Sequence, residues 1–173
     1  FVSILGPSGC GKSTILNVLA GLLEDYSGHV FVDEDPVNGV SSHFAYMPQN
    51  DLLLEWRTIL DNVCLYGEIN HDKSMKQRAL KEFETFGLKG YENAYPNELS
   101  GGMRQRAAFL RTALCDADIL LLDVSMPKRS GLDVAKNLIR MYSDLKIIFL
   151  TMHKSEDMLA EAFNSGAKGY VLK

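Results

Sequence analysis

An apolar run at residues 1–5 breaks at Gly6 and opens into Gly6-Pro7-Ser8-Gly9-Cys10-Gly11-Lys12-Ser13-Thr14. A helical face then follows at Ile15, Leu16, Val18, Leu19, Leu22 and Leu23. The pattern G-x-x-x-x-G-K-S, set between a strand and a helix, is the strongest constraint in the chain. Its glycines let backbone N–H groups turn inward around an anion, and the helix start adds partial positive charge. Lys12 can bridge β- and γ-phosphate oxygens, and the Ser13 hydroxyl can ligate Mg²⁺. The plain alternative is a glycine-rich turn. The spacing favours a site for a nucleoside triphosphate, with ATP and Mg²⁺ as the expected ligands.

The rest of the chain is read around this loop. Its 173 residues are enough for one domain with a real core. Net charge is −4, which argues against a nucleic-acid partner bound by phosphate neutralisation. Cys10, Cys64 and Cys115 are an odd, widely spaced set, read as reduced thiols of a cytoplasmic protein. No apolar run reaches the ~20 residues of a membrane span. The chain opens on Phe1 inside a strand-like run, with no initiator Met or signal peptide, and reads as a fragment.

Residues 12–23 are expected to be helical. Residues 29–32 and 43–47 are expected as strands, separated by a polar stretch with Pro36, Asn38 and Gly39. Residues 58–86 read as helical with a loop at 67–72, residues 91–98 as loop, and Ser100 as the start of a helix reaching Leu114. Short apolar strands are expected at 119–122, 147–150 and 170–172, with helices at 131–142 and 155–164 between them. That alternation means parallel pairing with right-handed crossovers. The expected fold is a single α/β domain over residues 1–173, a parallel sheet flanked by helices, with a mostly helical insertion at about 52–114.

Four ordered motifs carry a resemblance: GPSGCGKST at 6–14, MPQ at 47–49, LSGGM-RQRAAFLRTAL from 99, and ILLLD at 119–123. Residues 1–123 resemble the ATP-binding subunit of an ABC transporter. The LSGGM-RQR form and the stretch LLLEWRTILDNV at 52–63 are most similar to importers of the nitrate, sulfonate and taurine type. The resemblance implies that Gln49 contacts Mg²⁺ or the attacking water and couples the site to a membrane permease. It implies that Asp123 holds Mg²⁺ through water. Ser100, Gly101 and Gly102 would cap the γ-phosphate of ATP bound to a second copy, head to tail. LSGG is itself an anion site at a helix start, though Ser100 also reads as a simple N-cap. The family's upstream strands and adenine-stacking aromatic have no counterpart here, so base affinity is expected to fall.

The same family follows its Walker B aspartate with a glutamate that orients the attacking water. Here Val124 stands in that place and cannot accept a proton. Losing a general base typically costs ~10²–10⁴-fold in rate. Hydrolysis is therefore expected to be weak or lost. The switch histidine should directly follow Thr151, but Met152 intervenes and His153 is one position out of register. A D-loop-like Ser130-Gly131-Leu132-Asp133 comes three residues late after Asp123, which counts against the sandwich dimer.

LLLDVSMP at 120–127, Gly131-Leu132, LTMH at 150–153 and GAKGYVLK at 166–173 instead resemble the C-terminal half of a response-regulator receiver domain, with a flavodoxin-like arrangement. That resemblance implies a phosphoacceptor at Asp123, a switch hydroxyl at Thr151 and a phosphoryl-paired cation at Lys173. Receivers also need an acidic pair after their first strand, and the phosphate loop occupies that place. Phosphotransfer is therefore expected to be weak or absent. The chain reads as the front of one family (1–116) joined to the back of another (117–173), a chimera whose ancestral permease partner is lost. In ABC subunits the phosphate-loop strand lies beside the strand corresponding to 146–151; in receivers the last strand takes that place. The sequence leaves both arrangements open, and with them three functions: Mg-ATP binding, phosphoacceptor signalling, or a scaffold without activity.

Overall fold

The computed structural model describes residues 2–5, 9–48, 50–123 and 146–151; for 2–5, 122–123 and 146–151 it describes the backbone alone. The calls on Gly6, Pro7, Ser8, Gln49, Val124, His153 and Lys173 lie outside the described residues, as do the helices expected at 131–142 and 155–164 and the strand at 170–172. The chain divides into two compact units, Phe1–Gln49 with Ala117–Lys173, and Asn50–Asp116.

Among the described residues the first unit has four parallel strands: β1 (Val2–Leu5), β4 (Phe44–Met47), β5 (Ile119–Asp123) and β6 (Lys146–Thr151), in the order β1-β6-β5-β4. The question left open by the sequence is answered in the backbone register. β1 pairs directly with β6, from Val2 with Ile148 to Leu5 with Thr151. β6 pairs on its other side with β5, from Ile119 with Lys146 to Asp123 with Leu150. Both edges of β6 are therefore taken, and the place a receiver gives its last strand is held by β1.

Helix α1 (Lys12–Leu19) packs on this sheet through Leu16 and Ala20, which form a core with Leu121 flanked by Leu19, Phe44, Tyr46 and Ile119. The helix is shorter than the apolar pattern suggests. Gly21 sits at φ 71, and the Leu22 and Leu23 N–H groups both turn back to the Asn17 carbonyl. A Cβ at Gly21 would stand 2.1 Å from the Gly39 backbone, so the close approach of these two segments requires glycine. The polar stretch after residue 32 is not all loop. β2 (Phe31–Val32) and β3 (Asp35–Pro36) form a small antiparallel hairpin, turning where Asp33 has φ 53.

The second unit is helical: α2 (Ile59–Val63), α3 (Leu65–Ile69), α4 (Met75–Phe83), a 3-10 turn at Pro96–Glu98 and α5 (Gly101–Ala113). Gly67 lies inside α3 rather than in a loop, and glycine is needed there because a Cβ would come within 2.3 Å of the Met75 side chain. α2 packs on α4 and α5. Ile59, Val63, Ala79, Phe83, Ala107 and Ala108 are fully buried, and the Phe86 and Phe109 rings pack tilted by 38° with centroids 6.2 Å apart.

Candidate functional site

The described part of the phosphate loop runs from Gly9. Gly9 and Gly11 adopt φ 81 and φ 92, conformations that glycine enters at little cost. Gly11 is the N-cap of α1, and no side chain caps this helix start. Lys12 is the first helical residue and is 8% exposed, an unusual burial for an ammonium-bearing chain. Its Nζ stands 3.5 Å from the Cys10 Sγ. Ser13 and Thr14 are exposed on the first turn. The local geometry is thus a left-handed turn entering a helix whose first residues carry an ammonium and two hydroxyls. Such a helix start attracts anions.

The carboxyl ends of the strands lie on one side of the parallel sheet, where open α/β folds place their ligands. β1 runs into the phosphate loop, β5 ends on Asp123, and β6 ends on Thr151 between them. Three of the elements carrying sequence-predicted residues therefore end on the same, carboxyl end of the sheet.

The second unit holds the LSGGM segment at the start of α5. Ser100 is the N-cap (φ −65, ψ 156), and its Oγ accepts the Met103 N–H at 3.4 Å. Ser100, Gly101 and Gly102 are all exposed. A Cβ at Gly101 would meet nothing within 4 Å, and at Gly102 only the Arg106 guanidinium at 3.7 Å. Neither glycine has positive φ. Packing within this unit therefore does not demand glycine at either place, although glycine costs a helix up to about 1 kcal/mol relative to alanine.

Behind this turn lies an ionic clamp that residue spacing does not signal, because its partners are 53 positions apart. Arg104, one turn into α5, donates from Nε and Nη2 to both carboxylate oxygens of Asp51 at 3.0 and 3.1 Å, and from Nη2 to Glu55 at 2.8 Å. Arg111 donates to the Asp51 and Leu52 carbonyls. Burial pushes the Asp51 carboxyl upward, but the Arg104 fork, the Leu53 N–H and the Arg111 charge outweigh it and hold the carboxyl below its ordinary value. The fully buried Asn62 completes the clamp, accepting the Leu54 N–H and donating to the carbonyls of Leu54, Arg57 and Thr58. This irregular segment leaves Leu52 60% and Trp56 74% exposed. Among the described residues no group of three or more His, Cys, Asp or Glu side chains could hold a metal ion.

Comparison with known proteins gives two family matches. Residues 1–125 match the family model described as ABC transporter, and residues 102–173 match the response regulator receiver domain. The chain is 45% identical over 125 residues to an uncharacterized ABC transporter ATP-binding protein, YtlC, of Bacillus subtilis, covering 71% of this chain and 48% of that protein. It is 40% identical over 124 residues to the aliphatic sulfonates import ATP-binding protein SsuB of the same organism, covering 71% and 48%. The chain thus spans about half the length of the curated relatives it matches. Among solved structures it is similar to the dimeric structure of MJ0796, a bacterial ABC transporter cassette. The TM-score is 0.75 at 27% identity, covering 88% of this chain and 75% of that one. The two family matches overlap at 102–125, and β6, which pairs with β1, belongs to the receiver-matched part alone.

Proposed function

The chain belongs to the ABC transporter family, and we propose that it binds Mg-ATP through residues 6–14 with little or no turnover. The observation that carries this reading is the entry into α1. Two left-handed glycines lead to an uncapped helix start with Lys12, Ser13 and Thr14 on its first turn. In this reading the backbone N–H groups of the loop and Lys12 hold the β- and γ-phosphates. Ser13, Gln49 and Asp123 hold Mg²⁺, whose charge offsets that of the phosphate chain. Val124 stands where a base is needed, which lowers hydrolysis by ~10²–10⁴-fold. Isothermal titration of ATP with Mg²⁺ against the wild type and Lys12→Ala tests the proposal. Binding that weakens sharply in the variant is expected, and identical heats in both would sink it.

The exposed glycines at 101 and 102 support a further role outside this chain's own packing. Ser100, Gly101 and Gly102 would face the γ-phosphate of ATP on a second copy. The exposed Leu52 and Trp56 mark the apolar surface of the helical unit on which the ancestral permease, a partner lost in this chain, would have docked. Such a subunit works at the cytoplasmic face of a membrane, and no helix among the described residues is long and apolar enough to cross one.

The match of residues 102–173 to receivers favours a second reading, a phosphoacceptor at Asp123 with Thr151 and Lys173. The strand order counts against it, since β1 stands beside β6 where a receiver has its last strand. Intact mass after acetyl phosphate and Mg²⁺ treatment tests this reading, and absence of a phosphoryl adduct rejects it. A recombined chain with one sheet assembled from two families accounts for both matches.

A further inference from the structure

Helix α3 stops after Ile69, where His71 enters the left-handed region at φ 57 and the Asp72 N–H returns to the Gly67 carbonyl at 2.8 Å. The chain starts α4 almost at once, with Asp72 Oδ1 accepting the Ser74 N–H and hydroxyl at 2.8 and 2.7 Å. The two helices meet at Gly67 and Met75, where a Cβ on Gly67 would not fit. Beside this contact lies an open cavity of about 330 Å³, lined by the end of α2, by α3, by the turn and by the start of α4. It lies wholly within the second unit. Its volume is at the lower end of the range for small-molecule sites. At the ~30 Å³ that a water takes, it holds roughly ten non-hydrogen atoms.

The lining has two chemical characters. Cys64, Gly67 and Met75 supply apolar wall, and burial raises the Cys64 thiol above its ordinary value, so it stays neutral. The carboxylates that line the cavity are already engaged. Glu68 accepts from both terminal nitrogens of Arg57, and Asp72 holds Ser74 and stands 3.6 Å from the Arg78 guanidinium. Lys73 and Lys76 also line the cavity, are exposed, and form no ion pair among the described residues. We propose that this cavity binds an organic anion of the medium-chain carboxylate class, its hydrocarbon body against Cys64, Gly67 and Met75 and its head group on Lys73 and Lys76. A carboxylate only accepts hydrogen bonds and an ammonium only donates them, so head and rim are complementary. The hydrocarbon leaves water for the apolar wall. An inorganic anion lacks the body, and a neutral alcohol lacks the head.

Amide NMR of the isotope-labelled full chain, titrated separately with octanoate, 1-octanol and acetate, gives the test. Octanoate is expected to shift the amides of residues 64–76 saturably, with a Kd in about the millimolar range. The alcohol should bind more weakly and acetate should leave these amides in place. The double variant Lys73→Gln with Lys76→Gln changes only exposed side chains, and is expected to lose about threefold to tenfold in octanoate affinity while binding octanol as the wild type does. No saturable octanoate shift at residues 64–76, equal binding of octanoate and octanol by the wild type, or an unchanged octanoate affinity in the double variant would each overturn the assignment.

Discussion

Asn62 offers a test of how the helical unit holds its irregular leading segment. The side chain is fully buried and satisfies four backbone groups. Its Oδ1 accepts the Leu54 N–H at 2.7 Å, and its Nδ2 donates to the carbonyls of Leu54, Arg57 and Thr58 at 3.0, 3.2 and 3.0 Å. An amide nitrogen has two hydrogens, so one of the three carbonyl contacts is shared. Each neutral hydrogen bond contributes about 0.5–1.5 kcal/mol net, and buried groups left unpaired cost more. Asn62→Ala should therefore destabilise the unit by about 2–4 kcal/mol. Asn62→Asp keeps the acceptor for Leu54 but turns carboxylate oxygens toward carbonyls, so it should be at least as damaging. Urea denaturation can be followed by the fluorescence of Trp56, the chain's sole tryptophan, which lies in the same segment. Hydrogen exchange at the Leu54 amide reports the lost bond directly. A loss below about 1 kcal/mol with Leu54 exchange unchanged would refute the account, because that backbone would then be held by something other than Asn62.

Three more outcomes follow from the same geometry. Val124→Glu restores a carboxylate after Asp123 and is expected to raise ATP turnover by ~10²-fold or more, read as phosphate release; no increase would mean that the missing base is not what limits turnover. Because the Asp51 carboxyl is held below its ordinary value in the folded chain, its stabilisation is present above the unfolded pKa near about 4 and is lost as pH falls through the lower folded value. Acid titration of stability should accordingly show a shallower loss below that pH in Asp51→Asn than in the wild type, and parallel curves would contradict it. Burial pushes the Cys115 thiol up to about 11 and also raises Cys64, whereas Cys10 is exposed. Alkylation near neutral pH, followed by peptide mass mapping, should modify Cys10 first and Cys115 last; rapid labelling of Cys115 would show that its surroundings open readily.

What the sequence reveals is uneven for physical reasons. α5 is legible because Ser100 caps it through its own side chain and the helix ends beside Leu114, both local signals. α1 is overread because Leu22 and Leu23 continue the apolar period past a turn that the approach of Gly21 to Gly39 imposes. Pro36 hides β3, since proline argues against a strand unless the strand is a short edge, as it is here. Gly67 looks like a loop residue but is a helical position crowded by Met75. Within the described part of the phosphate loop, Gly9 and Gly11 take the left-handed φ that glycine permits. The clamp between Asp51 and Arg104 is not legible, because ion pairs between distant segments leave no periodic trace.

The position of β6 has a consequence for how the chain acquires its shape. β1 and β6 come from opposite ends of the chain, yet each residue of β1 finds its sheet partner in β6. β1 is synthesised well before β6 and must wait for it before it gains a neighbour on that side, and such distant closure slows folding. Until β6 arrives, β1 has no partner among the described strands, and the edge of β5 that β6 will cover stays open to other chains. The segments matched to two families are interleaved, not beads on a string. Cutting the chain between them should release no self-sufficient half, only two pieces that must find each other before either is native.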